Sequence, residues 1–119
     1  MISGIYSGLS SLRAIQTKTN SIANNVANIN TDGFKKTRVT LHEGTVDGAG
    51  VTAYVQRVET PGPKVYEQTR KGETLVEKSN VDLTEELPQM ILNRRDFQAN
   101  IKTIQAQDEM LGSLLDIKG

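Results

Sequence analysis

Apolar residues recur along the first thirty positions in steps of three and four. Ile2, Ile5, Leu9, Leu12, Ile15, Ile22, Val26 and Ile29 form one line, with Thr19 filling the single gap. This spacing predicts a helix with a narrow, coiled-coil-like seam and one extra three-residue step that locally overwinds it. Such a helix is roughly 40 Å long. A second seam begins after Asp82 and reads Leu83, Leu87, Met90, Phe97, Ile101, Ile104, Leu111 and Leu115, with Arg94 and Asp108 at positions where apolar residues are expected. Ile91, Met110, Leu114 and Ile117 make a flanking stripe. Asp82 followed by Glu85 fits a capping-box variant at the helix start. Pro88, six positions in, is expected to kink the helix or delay its start.

Between the seams the pattern changes to strand and loop. Lys35 to His42 and Val51 to Glu59 are rich in Val and Thr and are separated by Gly44, Gly48 and Gly50. They read as strands, although Val51 to Val55 does not alternate cleanly and leaves its buried face open. Pro61-Gly62-Pro63 marks a break. Val65 to Gln68 and Glu73 to Glu77 read as a further short hairpin. The expected fold class is α+β: long N- and C-terminal helices packed as a coiled-coil-like α-hairpin, with a small β-hairpin-rich insert between them. The expected division is residues 1–30 and 81–119 as the two helices of a terminal module, and 31–80 as the insert.

The polar face of the first helix is unusual. From Ser21 to Asn30 it carries no charge and presents Asn24, Asn25, Asn28 and Asn30. Asn is a mediocre helix former because its amide competes for the backbone. A face of amides in place of Lys and Glu suggests contact with protein rather than bulk water, whereas spacing alone favours a polar helix end ahead of the Asp32-Gly33 turn. Beyond that turn stand Phe34, an apolar anchor, and Lys35, Lys36 and Arg38, which read as solvated residues complementing the helix C-terminus.

Composition narrows the function. The 119 residues hold 14 basic and 14 acidic side chains, so no net charge argues for nucleic acid or a membrane surface. There is no Cys and no Trp, and no stretch approaches a membrane span. No secretory signal is visible at the N-terminus. The single His42 beside Glu43 makes neither a metal site nor a catalytic base by itself. Asp82, Glu85 and Glu86 are explained by a helix N-terminus more simply than by carboxylate catalysis, and the loop glycines lack a phosphate-loop sequel. No catalytic constellation, cofactor site or metal site is expected. A small hydrolase using Asp82, Glu85 and His42 has only composition behind it. Two helices cannot cover each other's second stripes, so the chain reads as a unit completed by copies of itself or by relatives, or as a helical adaptor that binds a partner's amphipathic helix.

The strings Met1-Ile2-Ser3-Gly4-Ile5-Tyr6-Ser7-Gly8-Leu9, Ser21 to Asn28 and Thr31-Asp32-Gly33-Phe34-Lys35 resemble the N-terminal signature of the bacterial flagellar basal-body rod and hook family. Ser79 to Leu87, continuing to Phe97-Gln98-Ala99-Asn100, is similar to that family's C-terminal module. Gly50-Val51 leading to Asn80-Val81-Asp82 looks most like the short proximal rod proteins. The resemblance implies a structural subunit, not an enzyme, that polymerises helically into an axial tube. It implies export through the flagellar type III apparatus without a cleavable signal, a place in the periplasm-spanning rod, and other rod and hook-basal-body proteins as partners. The subunit-interface residues it implies are Ile5, Leu9, Leu12, Ile22, Asn24, Asn25, Val26, Asn28, Ile29 and Phe34 at one end, with Leu87, Met90, Phe97, Ile101, Ile104, Leu111 and Leu115 at the other.

Overall fold

The computed structural model describes residues 2–44 and 50–118; Gly48 lies outside them, as does the side chain of Ile2. Helix α1 spans Ile2–Ala27 and α2 spans Leu83–Lys118. Between them come β1 (Thr37–Glu43), β2 (Val51–Arg57), β3 (Lys64–Thr69) and β4 (Gly72–Glu77). The strands form two separate antiparallel hairpins, β1 with β2 and β3 with β4. Thr37 pairs with Arg57 and Glu43 with Val51 in the first; Lys64 pairs with Glu77 and Thr69 with Gly72 in the second. The molecule is a rod of 80 × 26 × 19 Å.

The central element is α1, which packs against α2 on one side and the first hairpin on another. The helices are antiparallel, and three contacts set their register. A Cβ added at Gly4 would lie 2.8 Å from the Gln107 amide, and one at Gly8 would lie 2.8 Å from Ile104. At the other end the Asn25 amide lies 3.4 Å from the Glu86 carboxylate. This register brings Ser11 level with Asn100, Ile15 with Phe97, Lys18 with Asn93 and Ile22 with Met90.

The α2 side of the seam is a strict heptad in which Glu86, Asn93, Asn100 and Gln107 alternate with Met90, Phe97, Ile104 and Leu111, all buried or half-buried. Ser11, Lys18 and Asn25 alternate with Ile15 and Ile22 opposite them. Polar layers therefore face polar layers and apolar layers face apolar ones. The helices also approach closely at the α1 N-terminus, where only Gly fits. This corrects the predicted seams. Ile5 and Leu12 are half-buried to one side and Leu9 is exposed, because Gly4 and Gly8 take the contact line. On α2, Leu83, Leu87 and Leu115 are exposed, while Glu86 and Asn93 are buried. Arg94 and Asp108 leave the seam by one position and sit in solvent.

Polar layers leave a thin core. Among the described residues only Ala14, Ile15, Ile22 and Val39 are buried apolar residues, against Asn25, Ser79, Glu86 and Asn93 among the polar ones. Asn93 is the clearest sacrifice, since its Nδ2 is buried and has no hydrogen-bond partner within the chain. A polar side chain at such a layer specifies register at the expense of stability. Asn93→Leu is accordingly expected to raise stability by about 1–2 kcal/mol, through removal of the unsatisfied amide and burial of apolar surface. Thermal melting at fixed protein concentration checks this, and a lower melting temperature contradicts the seam assignment.

Local chemistry explains the element ends. Helix α1 stops at Ala27, short of the expected Asn30, because Asn28 closes it. The Asn28 backbone N–H donates to both Asn24 O and Asn25 O, at 3.2 and 3.1 Å, and its side chain donates to Asn24 O at 2.8 Å. Thr31 then donates to Asn28 Oδ1, and Gly33, with φ of 70°, turns the chain. Helix α2 starts at Leu83 and continues through Pro88, so the expected late start does not occur. Asp82 caps it by accepting the Thr84 backbone N–H at 2.9 Å. Glu85 does not complete the capping box; it reaches Lys36 at 3.0 Å instead. The Thr84 hydroxyl, and after it the Thr84 N–H, hold the Asp82 carboxyl below its ordinary pKa.

Candidate assembly surfaces

Part of the uncharged surface of α1, at Ser10, Ser21 and Asn25, is covered by the chain's own first hairpin, while Asn24 stays exposed. Thr37 lies at Ser21 and Asn25, and Val51 at Ser10, so the hairpin runs lengthwise along the helix. Asn25 is 1 % exposed and grips the Thr37 backbone from both sides. Its Nδ2 donates to Thr37 O at 2.9 Å, and its Oδ1 accepts the Thr37 N–H at 3.0 Å. Ser21 shares a short hydrogen bond with the Thr37 hydroxyl. Ser10 Oγ accepts the Val51 N–H at 3.0 Å, beside Gly50, which has φ of 72° and leaves no room for a Cβ. Small side chains let the ribbon lie close. Val39 is the apolar residue the hairpin buries beneath itself.

The joint between helices and insert centres on Asn80. Its Oδ1 accepts the Lys36 N–H at 2.7 Å, and its Nδ2 donates to Val58 O and Thr60 O, both at 2.9 Å. Its own N–H donates to Phe34 O at 3.3 Å. One side chain thereby ties the exit from α1, the end of β2 and the approach to α2. Of the three basic residues expected to be solvated, Arg38 is exposed as expected, whereas Lys35 and Lys36 join this joint. Lys35 pairs with Glu77 and Lys36 with Glu85, each lysine side chain only 13 % exposed, while Lys78 bridges Asp32 and Glu67. The Lys35 hydrogen bond, followed by one from the Gly62 N–H, holds the Glu77 carboxyl below its usual range. Hydrogen bonds that the Lys78 ammonium donates to Glu67, and then to Asp32, push its pKa up. His42 stands outside on β1, edge-on to Tyr54 with ring centroids 5.0 Å apart.

The residues expected at subunit interfaces divide into two groups. Ile22 and Asn25 are buried inside the chain; Ile5, Leu12, Val26, Asn28, Ile29, Phe34, Met90, Phe97, Ile101, Ile104 and Leu111 are half-buried. Leu9, Asn24, Leu87 and Leu115 face out. The exposed set also includes Tyr6 on α1 and the flanking stripe of α2, with Ile91, Met110, Leu114 and Ile117 all more than half exposed. Gly4, Gly8, Glu86, Asn93, Asn80 and Gln107 were not singled out as contact residues from sequence. The signal for Glu86, Asn93 and Gln107 was present as a polar residue every seventh position, which a search for apolar periodicity passes over.

A thin, polar-layered core lies beneath broad exposed apolar stripes. Residues 5–35 match the family model described as flagella basal body rod protein, and residues 74–117 match the C-terminal model of the flagellar basal body rod FlgEFG proteins. The chain belongs to the flagellar basal-body rod and hook family. It is 51 % identical over 43 residues to the rod protein FlgG of Bacillus subtilis, covering 36 % of this chain and 16 % of that one. It is 30 % identical to the hook protein FlgE of Treponema pallidum over 99 % of this chain and 23 % of the relative, and 46 % identical over 62 residues to FlgE of Borreliella burgdorferi, covering 43 % of this chain and 14 % of that one. The chain thus spans less than a quarter of the length of these relatives. Both matched modules fall on the helices and the Asn80 joint, where the specific geometry lies.

Proposed function

We propose that this chain is a structural, non-catalytic subunit of the flagellar rod. It reaches the periplasm through the flagellar export apparatus and polymerises through its terminal helices into a helical tube that transmits torque, in contact with other rod and hook-basal-body proteins. In this reading, residues 1–30 and 81–119 are one assembly module and 31–80 an insert that braces it. The observation that carries the proposal is the placement of large apolar side chains. Among the described residues four apolar ones are buried, while Tyr6, Leu9, Leu87, Ile91, Met110, Leu114 and Leu115 are all 42 % or more exposed. At roughly 25 cal/mol per Å², covering such side chains between subunits supplies the stability that the isolated fold lacks. The chain matches the rod protein FlgG and hook proteins FlgE alike; the short insert between the two family modules is what favours the rod in this reading.

Leu9→Asp tests this. Leu9 is 42 % exposed, so the variant is expected to keep its circular dichroism and melting curve. It is expected to lose concentration-dependent assembly in sedimentation and to fail to restore swimming to a deletion strain. Assembly at the wild-type concentration would remove α1 from the interface.

A further inference from the structure

The two ends of the rod-shaped subunit are unlike. Helix α2, with 36 residues, accounts for about 54 Å of the length, whereas the whole molecule measures 80 Å. The first hairpin lies alongside α1, so the remaining length is the β3–β4 ribbon, which packs on neither helix and extends from the joint at Asn80. A lone two-stranded ribbon is marginal in water. This one carries Tyr66 paired across the strands with Leu75, 71 % and 51 % exposed, and turns at Arg70-Lys71. Its acids Glu67 and Glu77 are neutralised by Lys78 and Lys35, leaving Glu73 alone beside the basic tip.

At the opposite end, α2 runs on past Gln107, where α1 gives out. Here it presents an exposed apolar face formed by Met110, Leu114 and Ile117 with Ala106 and Ser113, and Glu109 on its edge. Asp116, one heptad beyond Glu109, continues the acidic rim. Tip against tip sets Arg70 and Lys71 against themselves, and tail against tail does the same for Glu109 and Asp116. Tip against tail satisfies both the charges and the apolar surfaces.

We propose that the β3–β4 ribbon of one subunit docks on the exposed apolar face of the α2 tail of the next copy along the axis. Tyr66 and Leu75 cover the Met110–Leu114–Ile117 stripe, and Arg70 and Lys71 face Glu109 and Asp116. The proposal rests on the self-assembly reading above and names which surface meets which. The two surfaces differ, so the contact is heterologous and propagates into a string rather than closing on itself.

The chain has no cysteine, which makes disulfide trapping clean. Gln68→Cys and Ser113→Cys together place thiols at opposite ends of one molecule, beyond reach of each other within a chain. Oxidation of the assembled double variant is expected to give a ladder of covalent oligomers on a non-reducing gel, and each single variant nothing larger than a dimer. Without the cysteines, Arg70→Glu with Lys71→Glu is expected to raise the critical concentration for assembly roughly tenfold, and adding Glu109→Lys with Asp116→Lys to restore most of it. Protein that assembles in a manner blocked by Leu9→Asp, yet gives no ladder, overturns the docking and leaves the self-assembly reading standing. Wild-type protein that stays monomeric at all concentrations overturns both.

Discussion

Asn25→Ala is expected to lower stability by about 3 kcal/mol, the largest effect of any single side chain in α1. The amide is 1 % exposed and makes two hydrogen bonds to the Thr37 peptide, at 2.9 and 3.0 Å. Alanine leaves that buried N–H and C=O without their partners and strands the Glu86 carboxylate, whose hydrogen bonds among the described residues come from Asn25. At roughly 3–4 °C per kcal/mol for a chain of this size, the melting temperature is expected to fall by about 10 °C. Hydrogen exchange should rise first along β1 and β2, which hang from this point. Asn25→Asp separates the causes. It keeps the acceptor for the Thr37 N–H but loses the donor and sets a second carboxyl beside Glu86. Burial and the neighbouring acid raise the new carboxyl's folded pKa above its unfolded value, so its penalty is full at neutral pH and lifts as the pH falls. A variant insensitive to pH, or an Asn25→Ala protein as stable as the parent, would refute the role given to this amide.

Gly62→Ala is expected to cost about 3 kcal/mol and to act locally, at the base of the second hairpin. Gly62 is buried, and a Cβ there would lie 2.0 Å from the Lys78 carbonyl oxygen. That atom belongs to backbone and cannot rotate aside, so the two links at the joint must separate. Separation breaks the Lys78 N–H bond to Pro63 O and the Gly62 N–H bond to Glu77, at 2.8 and 3.1 Å. The expected result is loss of exchange protection over residues 62–80 with the Ala14, Ile15 and Ile22 core intact. Assembly through the ribbon should weaken more than assembly through α1. Uniform loss of protection along both helices would show instead that the joint is part of the global fold.

The elements themselves were readable because each rests on local patterning. Steps of three and four mark the helices, Val- and Thr-rich runs the strands, and Gly33 and Pro61-Gly62-Pro63 the breaks. The helix faces were not readable by the same route. Apolar periodicity placed Leu9, Leu87 and Leu115 on the contact line, whereas the fold turns them outward and puts Gly4, Gly8, Glu86 and Asn93 there. Much of the apolar surface of both helices lies outside their mutual contact, so hydrophobicity alone is a poor guide to which face meets the chain's own partner helix. The Asn-rich stretch shows the same limit. Asn28 ends the helix as its local chemistry dictates, while Asn25, three residues earlier, holds a strand that begins twelve residues later.

Local sequence decided the order, type and breaks of the elements, and the resemblance of the two terminal strings placed the chain in its family. Tertiary structure decided which residues of each helix meet, because that choice depends on how closely two backbones can approach and on which polar groups find partners across the gap. Glycine at positions 4 and 8 permits close approach, and the pairing of Asn25 with Thr37 and Glu86 holds the register. Neither is a property of one segment; both exist only once α1, α2 and β1 stand together.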